Sequence, residues 1–186
     1  MTEPDEVLVS VDVETAGPHP GRYSLLAIGA CLVDDPTRAL YVELQPETED
    51  AVPEALAVSG LSMAALREHG RPPPEAMAAF ARWLEQVVPG GRRPVFVGFN
   101  APFDWMFVHD AFHRHLGRNP FGHSALDIKS YAMGRLGGPF ADTSLARLGE
   151  RVGGLGELPH HALEDARIQA DLFRRVRDAT GPGPVR

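Results

Sequence analysis

The run Val7-Leu8-Val9-Ser10-Val11-Asp12-Val13-Glu14 constrains the fold more than any other stretch of the chain. Val7 to Val13 is nearly continuous in apolar residues, the pattern of a strand buried on both faces, and such a strand sits centrally in a sheet with helices on its two sides. The run nevertheless carries Asp12 and Glu14. Side chains two apart on a strand share a face and lie about 6.5 to 7 Å apart along it. Both carboxylates therefore leave the strand end in the same direction, while Val11 and Val13 pack on the other side. Two buried like charges cost several kcal/mol unless cations partner them. Alone, an Asp-x-Glu pair reads as a solvated strand end; it gains meaning only from company.

The rest of the chain reads as a mixed α/β pattern. Leu25 to Val33 and Ala39 to Leu44 form two more strands, split by the turn-like Asp34-Asp35-Pro36-Thr37, so the first three strands make an antiparallel meander. Residues 45–73 are mixed, with a short helix expected near Ser62 to Glu68. Pro74 to Val88 is an amphipathic helix, with Met77, Phe80, Ala81, Leu84 and Val88 at three- and four-residue steps. Pro94 to Phe99 is a strand, followed by a helix from Pro102 to about Leu116 and a short strand at Ala125 to Asp127. Helices are expected at Ile128 to Leu136, Thr143 to Val152 and His161 to Arg177. Strands first, then strand–helix alternation, imply a mixed sheet flanked by helices. One domain over residues 1–178 is expected, with residues 179–186 as a fraying tail.

Composition narrows the class. With 186 residues, 19 Gly and 17 Pro, the chain is large enough for one full core and below the Gly/Pro content of disordered sequences. A lone cysteine, Cys31, excludes an intrachain disulfide framework and a cysteine zinc cluster, and fits a reducing, cytoplasmic setting. No apolar run approaches the roughly 18 residues of a membrane span, and the acidic start Met1 to Glu6 is not the basic opening of a signal peptide. The net charge of −7 argues against a broad basic face for nucleic acid, but not against a narrow site where metal ions supply the positive charge.

Two further segments give Asp12 and Glu14 their company. Asp104, in Asn100-Ala101-Pro102-Phe103-Asp104, falls in the first turn of a helix whose apolar stripe includes Phe103, Phe107 and Ala111. A dipole-stabilised surface carboxylate is the plain alternative there, with Asn100 as a turn or cap. In His160-His161-Ala162-Leu163-Glu164-Asp165-Ala166, Asp165 borders the stripe Ala162, Ala166, Ile168, Ala170, Leu172, Phe173 and Val176, while Glu164, Arg167, Asp171 and Arg174 face solvent. A carboxylate on a core-facing stripe is normally neutral, paired or metal-bound. Four carboxylates from three segments, a nearby histidine and no thiolate select Mg²⁺ or Mn²⁺. Two such ions about 3.5 to 4 Å apart form the clamp for in-line phosphoryl displacement, and a neutral imidazole suits proton abstraction from water. The residues read as a two-metal phosphodiesterase.

Asp12-Val13-Glu14-Thr15, Asn100 to Asp104 and His160 to Ala166, in order from about Val7 to Phe173, resemble the three motifs of the DEDDh (DnaQ-like) 3′–5′ exonucleases, the family of ribonuclease T and polymerase proofreading subunits. That resemblance implies a ribonuclease-H-like fold with a mixed five-stranded sheet. It assigns Asp12, Glu14, Asp104 and Asp165 as ligands of two Mg²⁺ or Mn²⁺ ions and His160, five residues before the last Asp, as general base, with His161 as its neighbour. It also implies that Thr15, Ala16, Phe103, Asn100 and His160 hold the terminal nucleotide of a single-stranded DNA or RNA 3′ end. Phe99 stands where relatives frequently carry a polar residue, and Gly17 to Ser24 is expected to shape the substrate entrance. Asp127 reads as a helix cap rather than a ligand. A homodimer or a polymerase or repair partner is the association such a family implies, although the chain lacks the basic patches of a ribonuclease-T-like dimer. Two other readings stand beside the exonuclease: a non-catalytic or weakly catalytic proofreading or repair accessory, and a phosphodiesterase restricted to very short oligonucleotides, which need few phosphate contacts.

Overall fold

The computed structural model describes residues 5–155 and 158–179. The acidic residues 1–4, and the expected tail beyond Ala179, lie outside the described residues. Five strands, β1 (Glu6–Thr15), β2 (Leu25–Leu32), β3 (Ala39–Glu43), β4 (Arg93–Gly98) and β5 (Ala125–Asp127), form one sheet in the order β3-β2-β1-β4-β5. The β1–β2 and β2–β3 pairs are antiparallel, and β1–β4 and β4–β5 are parallel. The apolar run is thus the central strand of a mixed five-stranded sheet, and the expected meander is present.

Seven helices surround it among the described residues: α1 (Pro53–Ser59), α2 (Met63–His69), α3 (Pro73–Val87), α4 (Ala101–Leu116), α5 (Ile128–Leu136), α6 (Leu145–Val152) and α7 (Ala162–Asp178). Helix α1 has no counterpart among the expected elements. It opens on a proline and buries none of its residues, so it shows no apolar period. The helix expected from Thr143 starts instead at Leu145, capped by the Ser144 hydroxyl accepting from the Arg147 N–H, and a 3₁₀ turn (Phe140–Asp142) precedes it.

The sheet separates two cores. Val9, Val11 and Val13 of β1 pack against α3 and α4, with Phe80, Phe96, Phe107, Phe112 and Phe121 among the buried residues. The other face packs Cys31, Val97, Ile128, Leu148, Ala166, Ala170, Leu172 and Phe173, from β2, β4 and helices α5 to α7. The C-terminal ends of β1, β4 and β5 lie side by side, because the three strands are parallel. Among the described residues no helix is long and apolar enough to cross a membrane.

Candidate active site

Asp12 and Glu14 leave β1 on the face that α7 covers, opposite Val11 and Val13, as their spacing requires. The helix comes unusually near. Asp12 pairs across the strands with Gly29 of β2, and a Cβ at Gly29 would lie 2.1 Å from the Ala162 carbonyl carbon. Only glycine admits the first turn of α7 at that distance. The small residues Ala162, Ala166 and Ala170, all fully buried, keep the rest of the helix close. Asp165 is thereby lowered onto the strand end, and carboxylate oxygens of Asp12, Glu14 and Asp165 lie within 4.8 Å of one another.

Asp104 arrives from the other side of the sheet. It is buried in the first turn of α4, and its Oδ1 accepts the Val13 N–H at 3.0 Å. That bond ties the helix start to the very strand that carries Asp12 and Glu14. Asp104 stands beside the oxygen cluster rather than inside it, yet close enough that its charge is the largest electrostatic influence on Asp12 after burial. Asp127 fixes the same corner. Its Oδ2 accepts from the N–H and hydroxyl of Ser130 at 2.9 and 2.6 Å, capping α5, and its Oδ1 accepts the Ala101 N–H at 3.1 Å. The cap expected from the sequence is observed, with a second bond that anchors α4.

The electrostatics follow from crowding like charges away from water. Burial pushes the Asp12 carboxyl well up, and Asp104, Asp165 and Glu14 push it further, against the Gln169 hydrogen bond. Glu14 is raised to about 7 by burial and by Asp165. Burial also raises Asp104, against the Val13 N–H, and raises Asp165, against the opposing pull of His160. The Asp165 Oδ1 is buried with no hydrogen-bond partner among the described residues. A carboxylate oxygen left orphaned beside two more carboxylates fits divalent cations with a preference for oxygen ligands.

Of the two histidines, His161 is held: its ring stacks on Tyr41 at 4.5 Å, and the Tyr41 hydroxyl donates to Glu43 Oε1 at 2.8 Å. His160, exposed like His161, has a left-handed φ of 56°. Asn100 also has a left-handed backbone, φ 65°, at the entry to α4, where its side chain makes no capping bond, and Phe103 lies half-buried against Phe107. The Thr15 hydroxyl donates to the Gly17 carbonyl at 2.9 Å. Ala16 is fully buried; its N–H donates to Ser24 O and its carbonyl accepts from Val52 N. With both groups committed, Ala16 braces Thr15 and offers no free donor to a nucleotide.

Gln169 is a site residue that the sequence pattern hides. The expected stripe runs through Ile168, but Ile168 is half-buried and Gln169 takes the interior position, 1% exposed. Its Nε2 donates to Asp12 Oδ1 at 2.5 Å and its Oε1 accepts the Phe99 N–H at 2.9 Å, so one amide joins the first carboxylate to the end of β4. Gln169 lies one helical turn beyond Asp165, and that i, i+4 spacing is the signal that could have found it. Cys31, under α7, donates to the Ala166 carbonyl at 3.6 Å, and burial pushes its thiol up to about 12, which makes it inert packing.

A cleft of about 580 Å³ lined by Leu136, Gly137, Asp142, Arg147 and Arg151 contains none of the four acids.

A family model described as exonuclease, RNase T, matches residues 9–173. The chain is 45% identical over 176 residues to the 3′–5′ DNA exonuclease Cap18 of Escherichia coli, covering 95% of this chain and 94% of that one. Its fold is similar to the nuclease domain of 3′hExo, a DEDDh family member solved with bound rAMP, at TM-score 0.75, 15% identity and 92% of each chain. It is also similar to E. coli exonuclease I in complex with a dT13 oligonucleotide, at TM-score 0.70 and 18% identity, over 93% of this chain and 41% of that one. These structures share the five-stranded sheet architecture with the chain, which belongs to the RNase T exonuclease family and is a 3′–5′ exonuclease.

Proposed function

We propose that the protein removes nucleotides from the 3′ end of single-stranded DNA, using two Mg²⁺ or Mn²⁺ ions held by Asp12, Glu14, Asp104 and Asp165. The observation that carries this reading is the oxygen cluster of Asp12, Glu14 and Asp165, with its orphaned Asp165 Oδ1. When bound, the ions would supply the positive charge that favours ionised water at the scissile phosphate and neutralises the leaving oxygen. The chain's own residues do the rest. Asp104, anchored on the Val13 N–H, keeps α4 against β1, and Gln169 holds the Asp12 carboxylate in one orientation. His160 takes the proton of the attacking water: of the two histidines it exerts the larger pull on the Asp165 carboxyl, and the His161 ring is committed to Tyr41. Thr15, Asn100 and Phe103 border the strand end where the terminal nucleotide enters, with the Phe103 ring as a stacking surface indifferent to base identity.

DNA is favoured as substrate by the 45% identity to a protein described as a 3′–5′ DNA exonuclease. The test uses 5′-labelled DNA and RNA of one sequence, single-stranded and annealed, with Mg²⁺, Mn²⁺ or EDTA. A ladder shortening from the 3′ end, fastest on single-stranded DNA and absent in EDTA, is expected. Faster loss of RNA, or of the duplex, would replace the substrate named here.

A further inference from the structure

The edge of the sheet next to the acids carries a patch that the catalytic reading does not use. The Phe99 N–H is joined to Asp12 through the single side chain of Gln169. From there the C-terminal ends of β4 and β5 lead to Lys129 in the first turn of α5. The Lys129 Nζ lies 5.8 Å from the centre of the Phe99 ring and 4.6 Å from that of Phe140. Phe140, on the 3₁₀ turn, is 51% exposed, the one aromatic among the large apolar residues exposed in the described part of the molecule. Met133, also exposed, follows Lys129 by one turn on the same face of α5.

An exposed phenylalanine forgoes the stabilisation of burial, and this one is covered by a cation instead of by the core. Lys129 is the only lysine in a chain of net charge −7, and its ammonium pairs with no carboxylate among the described residues. One exposed ring, one half-buried against the core, and a cation facing both, linked to the nuclease centre through Gln169, match the chemistry of an unpaired strand: bases have faces to stack and phosphates have charge to neutralise.

We propose that Phe99, Lys129 and Phe140 form a platform for the nucleotides upstream of the two 3′-terminal ones, with bases against the two rings and a phosphate on the Lys129 ammonium. This rests on the reading that single-stranded 3′ ends are the substrate. It also explains how an acidic protein grips a strand: by a narrow track rather than a broad basic face.

The experiment compares cleavage of oligo-dT of about 20 nucleotides with cleavage of a dinucleotide too short to reach the platform, for wild type, Phe140→Ala, Phe140→Trp, Lys129→Ala and Lys129→Arg. The ratio of kcat/KM for the long strand to that for the dinucleotide is expected to fall about tenfold in both alanine variants, through KM, and to recover in Phe140→Trp and Lys129→Arg. Lys129→Ala should also flatten the dependence of log KM on log salt by about 0.7, one single-strand phosphate contact, while Phe140→Ala leaves that slope unchanged. An unchanged ratio, or an unchanged salt slope in Lys129→Ala, overturns the platform. Preference of the wild type for duplex ends would overturn the single-strand reading instead. Binding of labelled oligo-dT in EDTA, measured on the same variants, then decides the platform by itself: weakening about tenfold supports it, and equal binding overturns it.

Discussion

The two faces of the sheet are built to different ends. The face under α3 and α4 is filled with large rings: Phe80 stacks on Phe112 at 5.3 Å, and Phe121 meets Phe80 and Phe96 edge-on. The face under α7 is lined where it matters by Gly29, Ala162, Ala166 and Ala170. Rings maximise buried area, and so stability; small residues minimise distance, which brings Asp165 onto Asp12 and Glu14. Stability and catalysis are thus placed on opposite sides of one strand, whose odd residues Val9, Val11 and Val13 serve the first and whose even residues Asp12 and Glu14 serve the second.

Substitutions on the close face should strike activity first. Asp165→Asn is expected to reduce turnover about a thousandfold or more without unfolding the protein. Because burial disfavours the ionised Asp165 carboxyl, that variant should melt at or above the wild-type temperature in EDTA at pH 8. A lower melting temperature would mean that Asp165 has a structural duty instead. His160→Ala should lose about 10²- to 10⁴-fold in turnover while Mn²⁺ binding, followed by calorimetry, stays near wild type. If His161→Ala does the damage, the base is the histidine stacked on Tyr41. Gly29→Ala adds one carbon where none fits and should shift the start of α7, costing about a hundredfold in kcat together with about 1 to 3 kcal/mol of stability.

The ring-filled face should show the reverse. Phe112→Ala is expected to cost about 3 to 5 kcal/mol in urea unfolding, with kcat of the folded protein within about twofold of wild type. A kcat that falls with it would erase the division between the faces. The smallest expected effect is on pH. Glu14 has a folded pKa of about 7 against 4.5 for an unhindered Glu. Between those values the folded state holds a proton that the unfolded chain has released, so stability falls as pH rises through this window and stays low above it. Glu14 is half-buried, and solvent screening reduces the effect to about 1 to 2 kcal/mol. Thermal unfolding in EDTA from pH 4.5 to 8 should show this decline, and saturating Mn²⁺ should flatten it.

Much of this architecture is legible in the amino-acid sequence. The two-face burial of Val7 to Val13, the alternation that separates Val11 and Val13 from Asp12 and Glu14, and the helical stripe ending near Asp165 all follow from periods of two and 3.6. The cap at Asp127 is legible for the same reason, since capping is local. What escapes depends on distance between segments far apart in sequence. Gly29 reads merely as a weak strand residue until the backbone of Ala162 is placed against it. Gln169 reads as a polar interruption of a stripe until its amide is seen to reach 157 residues back to Asp12. Helix α1 buries no side chain, so the sequence has no pattern to display there.

The most direct measurement of whether the close face builds a two-ion centre is a crystal structure with Mn²⁺ and a deoxynucleoside monophosphate, with anomalous data collected at the manganese edge. Two anomalous peaks about 4 Å apart, in contact with Asp12 and flanked by Glu14, Asp104 and Asp165, are the expected result. A single peak, or peaks away from Asp165, would contradict the assignment of α7 as the helix that completes the site.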